Sequence, residues 1–308
     1  MATQPAPLTL KAGDVPPFRL GAARLADFWA LTKPEVNLLI LITTFAGFYL
    51  GCSNEARPFS FLASFNTLFG TLLVASGTGT LNQYIERKFD AQMRRTARRP
   101  AAAGRLKPRS VLAFGIALAA IGSIYLAITA SVLASLLALL TLLSYLFIYT
   151  PLKRRTPLCV LVGAFPGAMP PLIGWAAASA QLNIKALMLY AILFLWQFPH
   201  FMAIAWMYRE DYSRAGYLVL PPGKLRANFM AVQSVLPCLL LVPAGLILML
   251  LGHIRFAYLF FTLLLSSAFL VCALRLAADR SNIAARRLLS GSIIYLPLIF
   301  FLALLGKS

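Results

Sequence analysis

The sequence predicts an all-α fold: a polytopic membrane protein with nine transmembrane helices in a single bundle around a central cavity open to the cytoplasmic side. Three observations point there. The 308 residues are 60% hydrophobic and only 12% charged, with a mean hydropathy of +0.79, a composition foreign to ordinary soluble domains. Apolar runs near the ~20 residues that a bilayer span requires fall at 35–53, 61–87, 109–129, 131–150, 157–180, 185–208, 228–252, 255–275 and 286–306. With the N-terminus cytoplasmic, 24 of the 28 Lys and Arg lie on one side, before the first span and around 87–109, 153–155, 209–226 and 275–287. Only Arg57, Lys185, Arg255 and Lys307 fall opposite. That asymmetry is the positive-inside pattern, and merging or splitting one span would place basic loops on both faces.

The net charge of +19 is thus a topology signal that also favours anionic headgroups of the lipid bilayer. Dispersal of the basic residues over several loops argues against nucleic-acid binding. Cys52, Cys159, Cys238 and Cys272 form no CxxC pair and read as small packing residues. Short connections leave no room for an extramembrane domain, so the chain divides into a flexible cytoplasmic segment, 1–30, and a transmembrane domain, 31–308.

The first segment holds Pro, Ala and scattered charges with no apolar run. It matches neither a secretory signal nor a transit peptide, which favours a bacterial inner membrane. Leu31-Thr-Lys33-Pro34 opens the first span, with Pro34 suited to a first helical turn. Lys33 either snorkels at the interface, the favoured role, or reaches an anionic ligand. In the second span Ser76-Gly77-Thr78-Gly79-Thr80 suits close helix approach better than a phosphate cradle.

That span ends at Asn82, Glu86 and Asp90, which stack on one helical face over ~12 Å. Arg94, Arg95, Arg98 and Arg99 follow directly. An amide and two carboxylates beside arginines suit a Mg²⁺ and diphosphate site, with hard oxygens for the metal and cations for the phosphates.

Spans three and four carry few polar groups and read as scaffold, ending at the basic turn Lys153-Arg154-Arg155. The fifth contains Gly163, Pro166, Gly167, Pro170, Pro171 and Gly174. Such breakers imply either a distorted pocket-lining helix or a kinked scaffold helix. The sixth carries Trp196-Gln197-Phe198-Pro199-His200-Phe201 and runs into Tyr208-Arg209-Glu210-Asp211-Tyr212-Ser213-Arg214-Ala215-Gly216-Tyr217. Carboxylates cost ~2.5–3.5 kcal/mol at a span centre and less near its ends, so two acidic clusters at matching depth imply a purpose. If they face each other, they can hold one or two Mg²⁺ ions on a departing allylic diphosphate. Spans seven to nine read as scaffold, and His253 at an outer turn receives no role.

These motifs resemble the UbiA-type intramembrane prenyltransferases, and within them the haem-farnesylating branch. The first signature is met by Asn82, Glu86, Asp90, Met93, Arg95, Thr96, Arg99 and Pro100; relatives acting on quinone precursors usually have Asp in place of Glu86. A second match is Pro199-His200-Phe201 with Asp211-Tyr212 and Ala215-Gly216. A third is Tyr149-Thr150 with Lys153-Arg154 and Thr156, then Gly167-Ala168, Pro170-Pro171-Leu172 and Gly174-Trp175. The chain departs from the pattern at Ala101-Ala102-Ala103, where Leu-Pro is usual, and near Cys159, where an Asn is common.

The resemblance covers about 30–305. It implies transfer of farnesyl from farnesyl diphosphate to a vinyl group of haem B, with water completing a hydroxyethylfarnesyl substituent. By position, Asn82, Glu86, Asp90 and Asp211 would arrange Mg²⁺ and diphosphate as catalytic and metal residues. Arg95, Arg99, Lys153, Arg154, Tyr212 and Arg214 are implied substrate contacts. His200 either ligates or orients the haem iron, or satisfies a helix–helix hydrogen bond. A haem A synthase or oxidase assembly partner is a further implication. The alternatives are transfer to an aromatic quinone precursor and a haem or anion carrier, against which the one-sided acidic residues argue.

Overall fold

The computed structural model describes residues 17–52, 58–251 and 256–305. Residues 1–16, Arg57, His253, Arg255 and Lys307 lie outside the described residues. The helices are α1 (Pro17–Leu31), α2 (Pro34–Gly51), α3 (Phe61–Asp90), α4 (Pro108–Thr129), α5 (Val132–Leu152) and α6 (Cys159–Ser179). They continue with α7 (Ile184–Met207), the short α8 (Arg209–Arg214), α9 (Leu225–Leu251), α10 (Phe256–Asp279) and α11 (Asn282–Leu305). Among the described residues nine of these, all but α1 and α8, are long and apolar enough to cross a membrane. Their bounds follow the sequence-predicted spans closely.

Successive spans pack on one another from α2 to α11, and α11 returns to α2. Large side chains such as Phe61, Ile128, Phe147 and Phe301 remain exposed, as a surface in contact with acyl chains permits. Buried Leu189, Met202, Leu288, Tyr295 and Phe300 fill the side formed by α7 and α9–α11.

Helix α1 falls within the segment read from sequence as flexible. Its inner end is seated by the core: Phe28 meets Phe114 edge-on at 5.0 Å, Leu31 is fully buried with Leu106 and Val111, and Arg105 pairs with Asp27 at 2.8 Å. The contacts come from residues some eighty positions away, which local composition does not reveal.

Small residues set the closest approaches. A Cβ on Gly47 of α2 would overlap the Pro171 carbonyl oxygen of α6, and one on Gly174 would overlap the Thr44 carbonyl oxygen. Gly77 lets α3 lie against Gly115 and Ala119 of α4, the packing role expected for the Ser76–Thr80 stretch.

Helix α6 is broken near Ala168, after Pro166 and before Pro170. The gap is filled by Gln197 of α7, whose Nε2 donates to the Ala164 carbonyl at 3.1 Å and to Leu193 at 3.2 Å. Its Oε1 occupies the space beside Gly167. The Ala164 carbonyl, which already accepts from the Ala168 N–H at 3.1 Å, thus gains a second donor from the neighbouring helix at the break.

Candidate active site

The first acidic face folds as its spacing predicts. Asn82, Glu86 and Asp90 are 2%, 5% and 1% exposed, consecutive turns of one face at the C-terminal end of α3. Asn82 Nδ2 donates to Glu86 Oε2 at 3.0 Å and to Thr150 Oγ1 at 3.3 Å. Thr150 closes the π-helical turn Ser144–Tyr149 near the end of α5, a widening common at functional positions.

Cations reach this face from three directions. Lys153, just beyond α5, donates to Glu86 Oε1 at 2.9 Å, and Arg99 donates to Asp90 Oδ2 at 2.8 Å. Lys33 donates to Asn82 Oδ1 at 3.2 Å. The interfacial role favoured from sequence therefore does not hold for Lys33: its chain turns inward through a left-handed residue, φ 53 and ψ 61. Burial, then the positive charge of Arg99, pushes its ammonium down to about 7. Burial also opposes charge on Lys153, but Glu86, Tyr149 and Tyr145 offset it and hold that ammonium well above the usual lysine range.

The second cluster joins the first. Tyr217 Oη donates to Glu86 Oε1 at 2.9 Å, and the backbone N–H of Arg95 donates to Asp211 Oδ2 at 3.3 Å. Arg214 pairs with Asp211 Oδ1 at 2.8 Å. Leu218 N–H donates to the Lys153 carbonyl at 2.7 Å, fixing the 208–218 segment against the end of α5. Arg95 lies over Tyr208 at 5.2 Å and touches the Tyr212 hydroxyl at 3.4 Å, while Arg154 lies over Phe89 at 4.3 Å. Arg95, Arg154 and Arg214 are exposed. Glu210 is exposed too, and joins no described ion pair.

The carboxylates are thus spoken for by the protein's own donors. Both Glu86 oxygens are engaged, as are both of Asp211, whereas Asp90 Oδ1 has no partner among the described residues. No three acidic, His or Cys side chains there converge as a ready metal cage. That donor set still fits Mg²⁺, which typically takes one or two carboxylates and completes its octahedron with substrate phosphates and water.

His200 stands apart from this cluster. Its Nδ1 meets Ser292 Oγ of α11 at 2.8 Å, and its ring stacks on Trp196 at 4.6 Å. An apolar cavity of about 500 Å³ opens between α2, α3 and α11, lined by Leu41, Phe45, Leu68, Pro297 and Phe301 among others. Phe45 lies twelve residues along from Lys33, ~18 Å of helix rise.

Sequence reasoning missed Tyr217 as a partner of Glu86 and Thr150 as a partner of Asn82, and Ser292 altogether. Spacing could not pair Tyr217 with a residue on another helix. A phenol directly after the matched Ala215-Gly216 was the available hint.

The UbiA prenyltransferase family model matches residues 40–305. A protoheme IX farnesyltransferase of Solibacter usitatus is 45% identical over 289 residues, covering 92% of this chain and 99% of that protein. One from Koribacter versatilis is 38% identical over 294 residues, with 93% and 95% covered. Among solved structures, a digeranylgeranylglyceryl phosphate synthase superposes with a TM-score of 0.72 at 18% identity, covering 92% of this chain and 98% of that one. A UbiA homolog from Archaeoglobus fulgidus bound to GPP and Mg²⁺ gives 0.64 at 16% identity, with 90% and 99% covered. At such identities the structures show a shared fold.

Proposed function

This chain belongs to the UbiA prenyltransferase family, and from that premise we propose that it transfers the farnesyl group of farnesyl diphosphate to a vinyl group of haem B, yielding haem O and diphosphate. The observation that carries this reading is the union of two remote polar clusters, by Tyr217 on Glu86 and by Arg95 on Asp211, in a chain 45% identical to a relative of that activity.

In the reaction, the C1–O bond of farnesyl diphosphate breaks and its electron pair leaves with the diphosphate. The vinyl π electrons form the new bond to C1, water adds at the resulting cation beside the porphyrin, and one proton is released. Asp90, with its open Oδ1, Asp211 and the Asn82–Glu86 pair would hold Mg²⁺ directly or through water. Bound Mg²⁺ supplies positive charge against the charge that builds on the departing diphosphate.

The chain's cations do the remaining electrostatic work. Lys153 and Arg99 pair with the buried carboxylates, with Lys33 beside them on Asn82, so an arriving diphosphate meets the charge of Lys153 and Arg99 already in place and partly desolvated. Exposed Arg95, Arg154 and Arg214 offer contacts for outer phosphate oxygens or haem propionates. The apolar cavity beside α2 gives the farnesyl chain a dry course away from Lys33.

The asymmetry of basic loops supports a site and an N-terminus that face the cytoplasm of a bacterial inner membrane. Haem O, being strongly apolar, passes within the membrane to a haem A synthase or to oxidase assembly. The test is purified protein given farnesyl diphosphate, Mg²⁺ and either haem B or 4-hydroxybenzoate. Haem O is the expected product; prenylated hydroxybenzoate with no haem O overturns the proposal.

A further inference from the structure

We propose that a cleft between α8 and the start of α9 binds the phosphate of an anionic membrane phospholipid. The cleft adjoins the acidic site, and its ligand is the same whichever acceptor is prenylated. It encloses about 120 Å³ and is lined by Arg209, Tyr212, Ser213, Tyr217, Leu220 and Arg226 among others. No carboxylate belongs to that lining, so both of its charges are positive.

Each guanidinium is tethered, and neither is neutralised. Arg209 donates through Nη1 to the Trp206 carbonyl at 2.7 Å and to Asn282 Oδ1 of α11 at 2.8 Å, and lies over the Trp206 ring at 5.2 Å. Arg226 donates through Nε to the Pro221 carbonyl at 3.3 Å. Nε and Nη2 of Arg209 and both Nη atoms of Arg226 find no hydrogen-bond partner among the described residues, and neither arginine joins a described ion pair. The first turn of α9 holds no acidic residue to offset Arg226. Lys153, Arg99 and Arg214, by contrast, each face a carboxylate. Two guanidinium forks held in place with donors to spare suit an anion with several acceptor oxygens.

The position of the cleft selects the anion. It lies where α7 ends and α9 and α11 begin, the depth at which a span passes from acyl chains to headgroups. Leu225, next to Arg226, is 69% exposed, as a side chain against acyl chains would be, and Leu218, Leu220 and Pro222 give the cleft apolar walls. A phosphodiester between the two arginines, with its acyl chains running past Leu225, uses both features. Basic pockets between spans recognise anionic headgroups in this way. The two arginines also bracket the segment that carries Asp211 and Tyr217, and the Tyr217 hydroxyl donates to Glu86 at 2.9 Å. A phosphate bridging Arg209 and Arg226 therefore ties both ends of that segment and positions the acidic site without touching its substrates.

The experiment uses the full chain, delipidated in detergent and titrated with phosphatidylglycerol, phosphatidylcholine or inorganic phosphate, with bound lipid counted by native mass spectrometry. Phosphatidylglycerol should bind in preference to phosphatidylcholine. Arg226→Gln should weaken it about fivefold, and Arg226→Gln with Arg209→Gln about thirtyfold. If the double variant does not fold, Arg226→Gln carries the test, since it gives up one hydrogen bond to Pro221. Arg109→Gln, at an exposed position likewise at the start of a span, should bind as wild type. An equal loss in Arg109→Gln makes the attraction diffuse and overturns the site, as does undiminished binding in Arg226→Gln. Displacement of the lipid by an equal concentration of inorganic phosphate, or by haem B, overturns the lipid assignment in favour of a free anion or the acceptor's carboxylate. In nanodiscs, phosphatidylglycerol should lower KM for the prenyl diphosphate in the wild type and not in Arg226→Gln. No shift, or the same shift in both, overturns the positioning role.

Discussion

Tyr217 and Glu86, 131 residues apart in the chain, are joined by a hydrogen bond of 2.9 Å. The phenol comes from the loop after α8 and the carboxylate from a turn inside α3, so this contact makes one site of two clusters. Tyr217→Phe removes it without touching the ion pair to Lys153. A hydrogen bond to a charged group contributes about 1.5–3 kcal/mol, so kcat/KM should fall at least tenfold while the protein stays folded. Steady-state kinetics with both substrates measures it, and wild-type kcat/KM would make the contact incidental.

Glu86 and Lys153 form the most enclosed of the described ion pairs, with side-chain exposures of 6% and 12%. Removing one partner strands the other charge, at a cost of about 3–5 kcal/mol for buried pairs. Lys153→Met should therefore lower the unfolding temperature sharply, and Lys153→Met with Glu86→Gln should recover most of it. Activity should stay lost in the double variant, because the cation that meets diphosphate is gone. Thermal unfolding in detergent, run beside the product assay, separates the two effects.

The architecture was legible because a bilayer leaves few options: hydropathy runs set the spans, and the 3.6-residue period alone stacks Asn82, Glu86 and Asp90. What stayed hidden depends on contacts between distant segments. Lys33 was read as an interfacial residue because its inward turn rests on a left-handed backbone and on Asn82, 49 residues on. The prolines of α6 announced a break, but its plug, Gln197, comes from the next helix. The pairing of every acidic ligand with a nearby cation was foreseeable in kind, since uncompensated charge is not kept beside hydrocarbon. Which cation serves which carboxylate was not.

Asp90 and Asp211 answer to the same loop, since Arg99 holds one and the Arg95 N–H the other. Asp90→Ala and Asp211→Ala should each abolish turnover and weaken binding of Mg²⁺ with inorganic diphosphate, in proteins that remain folded. Calorimetric titration provides the second readout. Full activity in either variant removes that carboxylate from the metal site. Chelation of divalent ions should likewise stop the wild type, with Mg²⁺ restoring it.

Helices α2 and α6 approach so closely that backbone oxygens occupy the places of Cβ atoms at Gly47 and Gly174. Gly47→Ala and Gly174→Ala should lower stability by about 1–3 kcal/mol or more, the usual penalty for overpacking. Gly291→Ala is the control: its Cβ would meet Cys272 Sγ at an ordinary 3.7 Å. It should unfold at or above the wild-type temperature, since alanine favours a helix over glycine. Equal unfolding temperatures for all three variants would contradict the tight α2–α6 contact.

Lys33 gives the sharpest separation between the two substrates. It enters from the start of α2, donates to Asn82 Oδ1, and sits at the end of the helix whose Leu41 and Phe45 line the apolar cavity. A diphosphate held by Asn82, Glu86 and Asp90 would therefore meet Lys33 as its farnesyl chain turned toward that cavity, whereas a haem oriented by His200, one role the resemblance implies, would contact a different helix pair. Lys33→Met should raise KM for farnesyl diphosphate about tenfold or more, the scale of losing one charge-assisted hydrogen bond, and leave KM for haem B close to wild type. Lys33→Arg should not restore it, because the enclosed position suits a compact ammonium better than a planar guanidinium. Equal rises in both KM values would place the effect in the fold of the inner mouth instead of in diphosphate binding.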